Sequence, residues 1–241
     1  MKDLEKVQTV EELLELWQQR HQNKRKNRFI KDGIINENIW HKTEVKVCFL
    51  LKESYFDASE YEKDVLLPDR NLKKHHWNAH ISCHDGHYVY DLAEHLNKHE
   101  PWFMWRKVEN WTKVLLQILG LSVATPIQNI AVINIKKSEG VSESDYQDIL
   151  SYAYDDCVLI RKEIELVDPD IIICGATYDY CVKAGLFDAP QEVAVLKDFG
   201  SRKVLRYGKR IILDCYHPSA RISYEKVEKF FKEALQHVKI L

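Results

Sequence analysis

The stretch Val45-Lys46-Val47-Cys48-Phe49-Leu50-Leu51 decides the fold class of this chain. It is an apolar run of the kind that forms a strand buried on both faces, as in parallel sheets. Comparable runs at 129–133, 171–174 and 210–215 predict three more strands, and helical patterns at 107–119, 144–166 and 224–238 separate or follow them. Alternating strands and helices predict the α/β class, here a three-layer α/β/α sandwich around a central, mostly parallel four-stranded sheet.

The composition is that of an ordinary soluble globular protein, because 45% of the 241 residues are hydrophobic and 30% are charged. The net charge of −2 excludes a polycation, so contact with nucleic acid has to come from local basic patches such as residues 20–28. No apolar run approaches the ~18 residues that span a bilayer, and residues 1–5 lack the core of a signal peptide. We therefore expect a cytoplasmic protein without a membrane partner.

The six cysteines include no Cys-x-x-Cys pair. Cys48, Cys157, Cys174 and Cys215 lie in or beside apolar runs, where free thiols behave as small core residues. This usage predicts a reducing compartment and neither a disulfide framework nor an iron–sulphur cluster.

The chain is expected to form a single domain over residues 1–241, with an N-terminal helical extension over about 1–40 and a His/aromatic-rich insertion over about 68–106. The insertion has no clear periodicity, and its residues His80, Cys83, His84 and His87 have a spacing that a metal can use. The pattern matches no established zinc module, so we favour a functional loop beside the binding site. We expect neither a metal nor a cofactor.

Three polar side chains follow predicted strands, namely Glu53, Asn134 and His217. Parallel strands place their carboxyl ends at one edge of the sheet, where ligands bind, so these side chains are expected to share a site. Pro218 stiffens the loop that carries the imidazole. Each of these features also has a structural interpretation. Glu53 can pair with Lys52, and the Asn134 amide can bind a loop backbone. Ser219 or Ser223 can cap the last helix.

Four segments, taken in order, resemble the uracil-DNA glycosylase superfamily. They are Lys46 to Tyr55, Ala131-Val132-Ile133-Asn134, Asp168 to Gly175, and His217-Pro218-Ser219. The first resembles the Gly-Gln-Asp-Pro-Tyr type motif of that superfamily, with Glu53 on the catalytic acid and Tyr55 on the tyrosine. It departs from the motif at Leu51 and Lys52, which replace Gly and Gln, and at Ser54, which replaces Pro. The resemblance covers residues from about 45 to 235.

The resemblance implies a role for each matching residue. Glu53 would be the catalytic carboxylate and His217 an electrostatic catalyst. Asn134 would read the edge of a flipped base, in a pocket lined by Tyr55 and Ser54. The residues expected to contact the DNA are Lys52, Lys136, Ser219 and Arg221.

The implied activity is that of a monofunctional DNA glycosylase, a hydrolase that leaves an abasic site and needs no obligate protein partner. Breaking an N-glycosidic bond builds positive charge on the sugar and negative charge on the base. A carboxylate suits the first charge and a neutral imidazole donor suits the second. The amines of Lys52 and Lys136 leave Schiff-base lyase chemistry open as an alternative.

The altered first motif favours a base larger than uracil. Without the Gly and the Pro, the loop follows a different course, and Tyr55 is not expected to seal the 5-side of the pocket. We expect a 5-substituted pyrimidine of the kind that phages carry, and hence a role in anti-phage defence. The alternatives are an ordinary uracil-repair enzyme and a catalytically silent nucleic-acid-binding module; an unrelated α/β hydrolase lacks a Gly-x-Ser-x-Gly motif.

Overall fold

The computed structural model describes residues 4–24, 29–55, 81–84, 87–98, 103–140 and 143–238. The strands are β1 (Phe29–Lys31), β2 (Gly33–Ile34), β3 (Val47–Tyr55), β4 (Ile81–His84), β5 (His87–Asp91), β6 (Ile130–Gly140), β7 (Ile171–Gly175), β8 (Gln191–Leu196), β9 (Arg202–Tyr207) and β10 (Arg210–Cys215). The helices are α1 (Val10–Lys24), α2 (Glu37–Trp40), α3 (Leu92–Lys98), α4 (Phe103–Ile118), α5 (Tyr146–Asp155), α6 (Cys157–Val167), α7 (Tyr178–Lys183) and α8 (Tyr224–Gln236).

The sheet has the strand order β4-β5-β1-β6-β3-β7-β10-β9-β8, and β2 also pairs with β6. Its centre, β6-β3-β7-β10, is wholly parallel and consists of the four strands that the apolar runs predict. The predicted total of four strands is wrong, because the described residues form a sheet of ten. The additional strands are short or lie towards the edges, where partial exposure removes the continuous apolar pattern, as in β8.

Helices cover both faces of the sheet, as the predicted three-layer architecture requires. Successive side chains of β3 point to opposite faces, so Val47 and Phe49 join one core and Cys48 and Leu50 join the other. The first core includes residues of α4 and α8, and the second includes residues of α1, α5, α6 and α7. The sheet is therefore buried on both sides, which explains why its central strands are apolar throughout.

One predicted helix is divided in two, and the start of the last helix shows which serine caps it. The helix expected over 144–166 is divided into α5 and α6 at Asp156, whose φ of −107° and ψ of 9° leave the helical range. At the start of α8, the side chain of Ser223 accepts from the backbone N–H of Lys226. Ser223 is therefore a helix cap, which leaves Ser219 available to the loop before it.

The two appendages contain more sheet than the sequence suggests. Strands β1 and β2 lie within the expected helical extension and pair with β6. The described part of the expected irregular insertion contains the β4–β5 hairpin and α3. His80 lies outside the described residues, and so do the side chains of Cys83, His84 and His87, so the metal alternative stays a prediction. The described helices include none that is long and apolar enough to cross a membrane.

Candidate functional site at the carboxyl edge of the parallel strands

The carboxyl edge of the sheet is stepped. Strand β7 pairs with β3 only as far as Leu50 and Cys174, whereas the β3–β6 ladder continues to Tyr55 and Gly140 through an irregularity between Glu53 and Ser54. The expected strand ends at residues 51 and 133 are therefore wrong, because each of these two strands gives the other a partner beyond that point. Glu53 and Asn134 lie within strands, and only His217 follows one.

The His217 loop is packed against the ends of β7 and β3. Ala220 donates its backbone N–H to the carbonyl of His217 at 2.9 Å, which closes a turn around Pro218. A Cβ on Gly175 would lie 2.6 Å from the Leu51 side chain and 3.2 Å from the Pro218 ring, so this close approach requires glycine.

Ala176, the residue after β7, has a left-handed φ of 56°, which is uncommon for a residue with a Cβ. Its backbone N–H donates to the carbonyl of Cys215 at 3.0 Å. This bond joins the end of β7 to the end of β10, just before the histidine loop, and offsets the backbone strain.

The imidazole of His217 is held in one tautomer. The backbone N–H of Ser219 lies 3.2 Å from Nδ1, and the Ser219 hydroxyl lies 2.7 Å from the same atom. Because a backbone N–H can only donate, Nδ1 accepts and the ring proton of the neutral form belongs to Nε2. Burial, reinforced by the Lys52 ammonium, lowers the pKa of His217 to about 4. At neutral pH the site thus contains an uncharged imidazole with an Nε2–H donor.

Lys52 is one of the predicted residues that the structure brings close to His217. Its ammonium lies 5.9 Å from the centre of the Tyr180 ring. Tyr180 in turn contacts Tyr146, with their ring centres 4.8 Å apart. Lys52, a half-buried cation close enough to lower the pKa of His217, thus lies beside an aromatic pair.

Glu53 has a buried carboxylate whose two oxygens differ in their surroundings. Oε2 lies 2.7 Å from the ammonium of Lys136, which is also 2.8 Å from Oδ2 of Asp148. Oε1 is buried and has no hydrogen-bond partner in the described part of the chain. A Cβ on Gly140 would overlap the Glu53 carboxyl carbon, so glycine at this position gives the carboxylate its space. Among the described residues, the hydrogen-bonding capacity of Oε1 is therefore unused.

Lys136 is an internal ion-pair residue rather than an exposed DNA contact. Its side chain is only 8% exposed and lies between two carboxylates. Burial alone lowers the pKa of the amine, but the hydrogen bonds that the ammonium donates to Asp148 and Glu53 outweigh it and raise the pKa above its usual value. The amine is therefore protonated at neutral pH, whereas Schiff-base formation needs it neutral.

Asn134 lies in the interior of β6, 2% exposed, and contacts an aspartate that the sequence patterns do not reveal. Its backbone N–H and its Nδ2 both donate to Oδ2 of Asp32, at 2.7 and 2.9 Å. Nδ2 also lies 3.5 Å from the hydroxyl of Ser54, so two predicted base-binding residues are brought together. Lys137 contacts the other oxygen of Asp32 and lies 2.7 Å from Glu163.

The ionisable side chains of this buried network, those of Asp32, Lys137 and Glu163, are all fully inaccessible to solvent. Burial raises the pKa of Glu163 to about 8; Lys137 opposes this shift and Asp32 adds to it. The available sequence signal was the lysine pair 136–137 directly after the largely apolar run 130–135, since a charged residue in a buried strand requires a buried partner.

The remaining predicted residues divide into two groups. Ser219 and Arg221 are exposed on the loop before α8, whose path is fixed by a hydrogen bond from Lys107 Nζ to the Ala220 carbonyl at 2.8 Å. The side chain of Tyr55 and residues 25–28 lie outside the described part of the chain. Among the described residues, no hydrogen bond or ion pair directly joins the Glu53, Asn134 and His217 clusters.

Comparison with known proteins finds no matching family and no matching curated protein. The chemistry of the site therefore carries the functional conclusion.

Proposed function

We propose that the protein is a DNA glycosylase that hydrolyses the N-glycosidic bond of a modified base and leaves an abasic site. The observation that carries this proposal is the state of His217, an uncharged imidazole whose single proton is held on Nε2. A departing base takes the bonding electrons with it, so a fixed neutral donor at the base stabilises the transition state. The resemblance of four sequence segments to the uracil-DNA glycosylase superfamily supports the same reaction.

Glu53 is assigned to the sugar side of the bond. Lys136 holds Oε2, and Oε1, which has no hydrogen-bond partner among the described residues, is assigned to stabilise the positive charge that develops on the sugar or to orient the attacking water. The water oxygen bonds to the anomeric carbon as the C–N bond breaks, and the base takes the bonding electrons as an anion that His217 and the nearby Lys52 cation stabilise. The proton lost by the water passes to Glu53 and then to solvent, and the released base takes up a proton from solvent. Because the carboxylate sits in a water-poor environment, its effect on this charge exceeds that of an exposed group.

The proposed substrate is a 5-substituted pyrimidine, and the course of β3 supports it. In this chain Ser54 and Tyr55 belong to a strand paired with β6, so the backbone at this point does not form a tight turn. Asn134 and Ser54 lie 3.5 Å apart and offer the polar groups that read a base edge. Excision of a base that phages carry is the chemistry of an anti-phage defence enzyme.

One observation favours a second candidate, a binding module that recognises a base without cleaving it. The ion pair with Lys136 compensates the charge of Glu53, which weakens that carboxylate as an electrostatic catalyst. The two candidates differ in product, since only the glycosylase releases a free base.

The test is incubation of the protein with duplexes that contain uracil, hypoxanthine, 5-hydroxymethyluracil or 5-hydroxymethylcytosine, and with DNA from phages that carry modified pyrimidines. Mass spectrometry detects the released base, and alkali-induced strand breaks detect the abasic site. We expect release of a 5-substituted pyrimidine at a higher rate than uracil. Binding without release supports the module, efficient release of uracil alone supports a repair enzyme, and neither binding nor release overturns both candidates.

A further inference from the structure

Asp32 lies in the turn between β1 and β2, and this turn places its side chain next to the middle of β6. Strand β1 pairs with β6 at Ser138, and β2 pairs with it at Val132, so the chain crosses several residues of β6 between them. Gly33 forms this turn with a φ of 115°, a backbone angle that residues other than glycine rarely adopt. The turn places the carboxylate of Asp32 opposite Asn134, on a segment far from it in sequence.

The contacts of Asp32 determine which way the Asn134 amide points. Oδ2 accepts the backbone N–H of Asn134 at 2.7 Å, and a backbone N–H can only donate. The second atom of Asn134 near that oxygen, at 2.9 Å, must also be a donor, which identifies it as Nδ2. A flipped amide would place its oxygen against an oxygen that already acts as an acceptor. The Asn134 oxygen is therefore the atom that faces away from Asp32.

Asp32 itself is anchored from the opposite side. Lys137, three residues after Asn134 on the same strand, contacts its Oδ1 and reaches Glu163 on α6 at 2.7 Å. The Lys137 ammonium lies 5.0 Å from the centre of the Trp17 ring, which covers it. Both Asp32 oxygens thus face N–H donors within the protein, and the side chain is inaccessible to solvent.

We propose that Asp32 is a positioning residue that fixes the Asn134 amide with its nitrogen inward and its oxygen towards the base. This inference rests on the proposed function and deepens it, since it assigns the residue that sets base selectivity. An oxygen in that position accepts from a base with a ring N–H at its pairing edge and repels a base with a ring lone pair there. A 5-substituted uracil is therefore preferred over the matching 5-substituted cytosine.

The selective test is Asp32→Asn, because the single oxygen of an asparagine cannot serve both Lys137 and Asn134. The buried Lys137 ammonium is the stronger donor, so the variant turns its oxygen to Lys137 and its amine to Asn134, which favours the flipped amide. NMR titration measures binding of the free bases 5-hydroxymethyluracil and 5-hydroxymethylcytosine. We expect the wild type to prefer the uracil by about tenfold or more, and the variant to lose most of that preference. Glu163→Gln is the matched control, since it changes a carboxyl of the same network that does not touch Asn134, and it should preserve the preference. A folded Asp32→Asn protein with the wild-type preference overturns the inference.

A second measurement needs neither the variant nor catalysis. In the wild type the Nδ2 protons of Asn134 should exchange slowly with solvent and show two well-separated resonances, as expected of a buried donor bound to a carboxylate. Rapid exchange or rotation of that amide contradicts the inference. If the wild type releases no base from any DNA, the proposed function fails, whereas an unlocked amide or an unchanged preference defeats the role of Asp32 alone.

Discussion

Ser219 donates its backbone N–H to Nδ1 of His217 across 3.2 Å, and this bond assigns the imidazole proton to Nε2. The donor is part of the main chain, so the tautomer is fixed by the path of the loop rather than by a replaceable side chain. In ¹⁵N NMR spectra of the neutral ring, Nδ1 should show no attached proton and Nε2 should show one. Ser219→Ala keeps the main-chain donor, so it should retain the tautomer and lower base release by less than about fivefold. A protonated Nδ1 in either protein contradicts the assignment.

The pH dependence of activity should lack the titration of an ordinary histidine. Because burial and the Lys52 cation lower the pKa of His217 to about 4, the ring stays neutral at pH 6.5 and gains a proton only as the pH falls towards 4. We expect kcat/KM to be flat between about pH 6 and 7, without the loss that protonation of a free imidazole would cause.

Lys52→Gln should raise the pKa of His217 part of the way towards its usual value, because burial, the larger cause, remains. NMR titration of the ring measures this change, and Lys42→Gln, an exposed lysine elsewhere on the chain, serves as the control. A His217 pKa that does not respond to Lys52→Gln contradicts the proximity of the two side chains.

Gly140→Ala tests the position of the Glu53 carboxylate without altering the carboxylate itself. The new methyl group would occupy the place of the Glu53 carboxyl carbon, and the end of that side chain has to move away from Lys136. We expect base release to fall by about 10²-fold and the thermal midpoint to fall as well, because the displaced carboxylate leaves a buried ion pair with Lys136. The matched comparison is the double variant with Glu53→Gln. Its rate should equal that of Glu53→Gln alone, and fully additive losses would show that the glycine acts elsewhere.

Glu163 should make the folded state less stable as the pH rises. Its pKa is raised to about 8, so the folded protein retains a proton that the unfolded chain releases near the usual value of 4.5. Linkage then requires the free energy of unfolding to fall with pH between about 4.5 and 8. Chemical denaturation of Glu163→Gln should give a flatter profile across that window. Glu165→Gln, two residues away and exposed, should keep the wild-type slope, and equal slopes in all three proteins would disprove the prediction.

The central strands were predictable because each is buried on both faces and so carries a continuous apolar run. The pattern of 45–51 and 171–174 needs no tertiary information to be recognised. Strand β2 was not predictable in this way, since it has two residues and takes its structure from pairing with β6. Its local sequence contains too few alternating positions to indicate a strand.

The same distinction holds for the site. His217 was predictable, because a proline-stiffened turn after a buried strand depends on local sequence. The Asp32–Asn134 contact was not, because it joins residues 102 positions apart through a glycine turn. Lys136 was expected to be an unpaired amine that contacts DNA. Only the packing of β3 and α5 around β6 shows that it is paired with two carboxylates.

The most direct test of the account is single-turnover release of the base from an identified modified duplex by the wild type, Glu53→Gln and His217→Ala. Both side chains lie at the edge of the sheet rather than in its cores, so both variants should fold and bind DNA. We predict that each lowers the rate of base release by about 10²-fold or more while the affinity for the duplex changes by only a few fold. Wild-type rates in both variants would contradict the account.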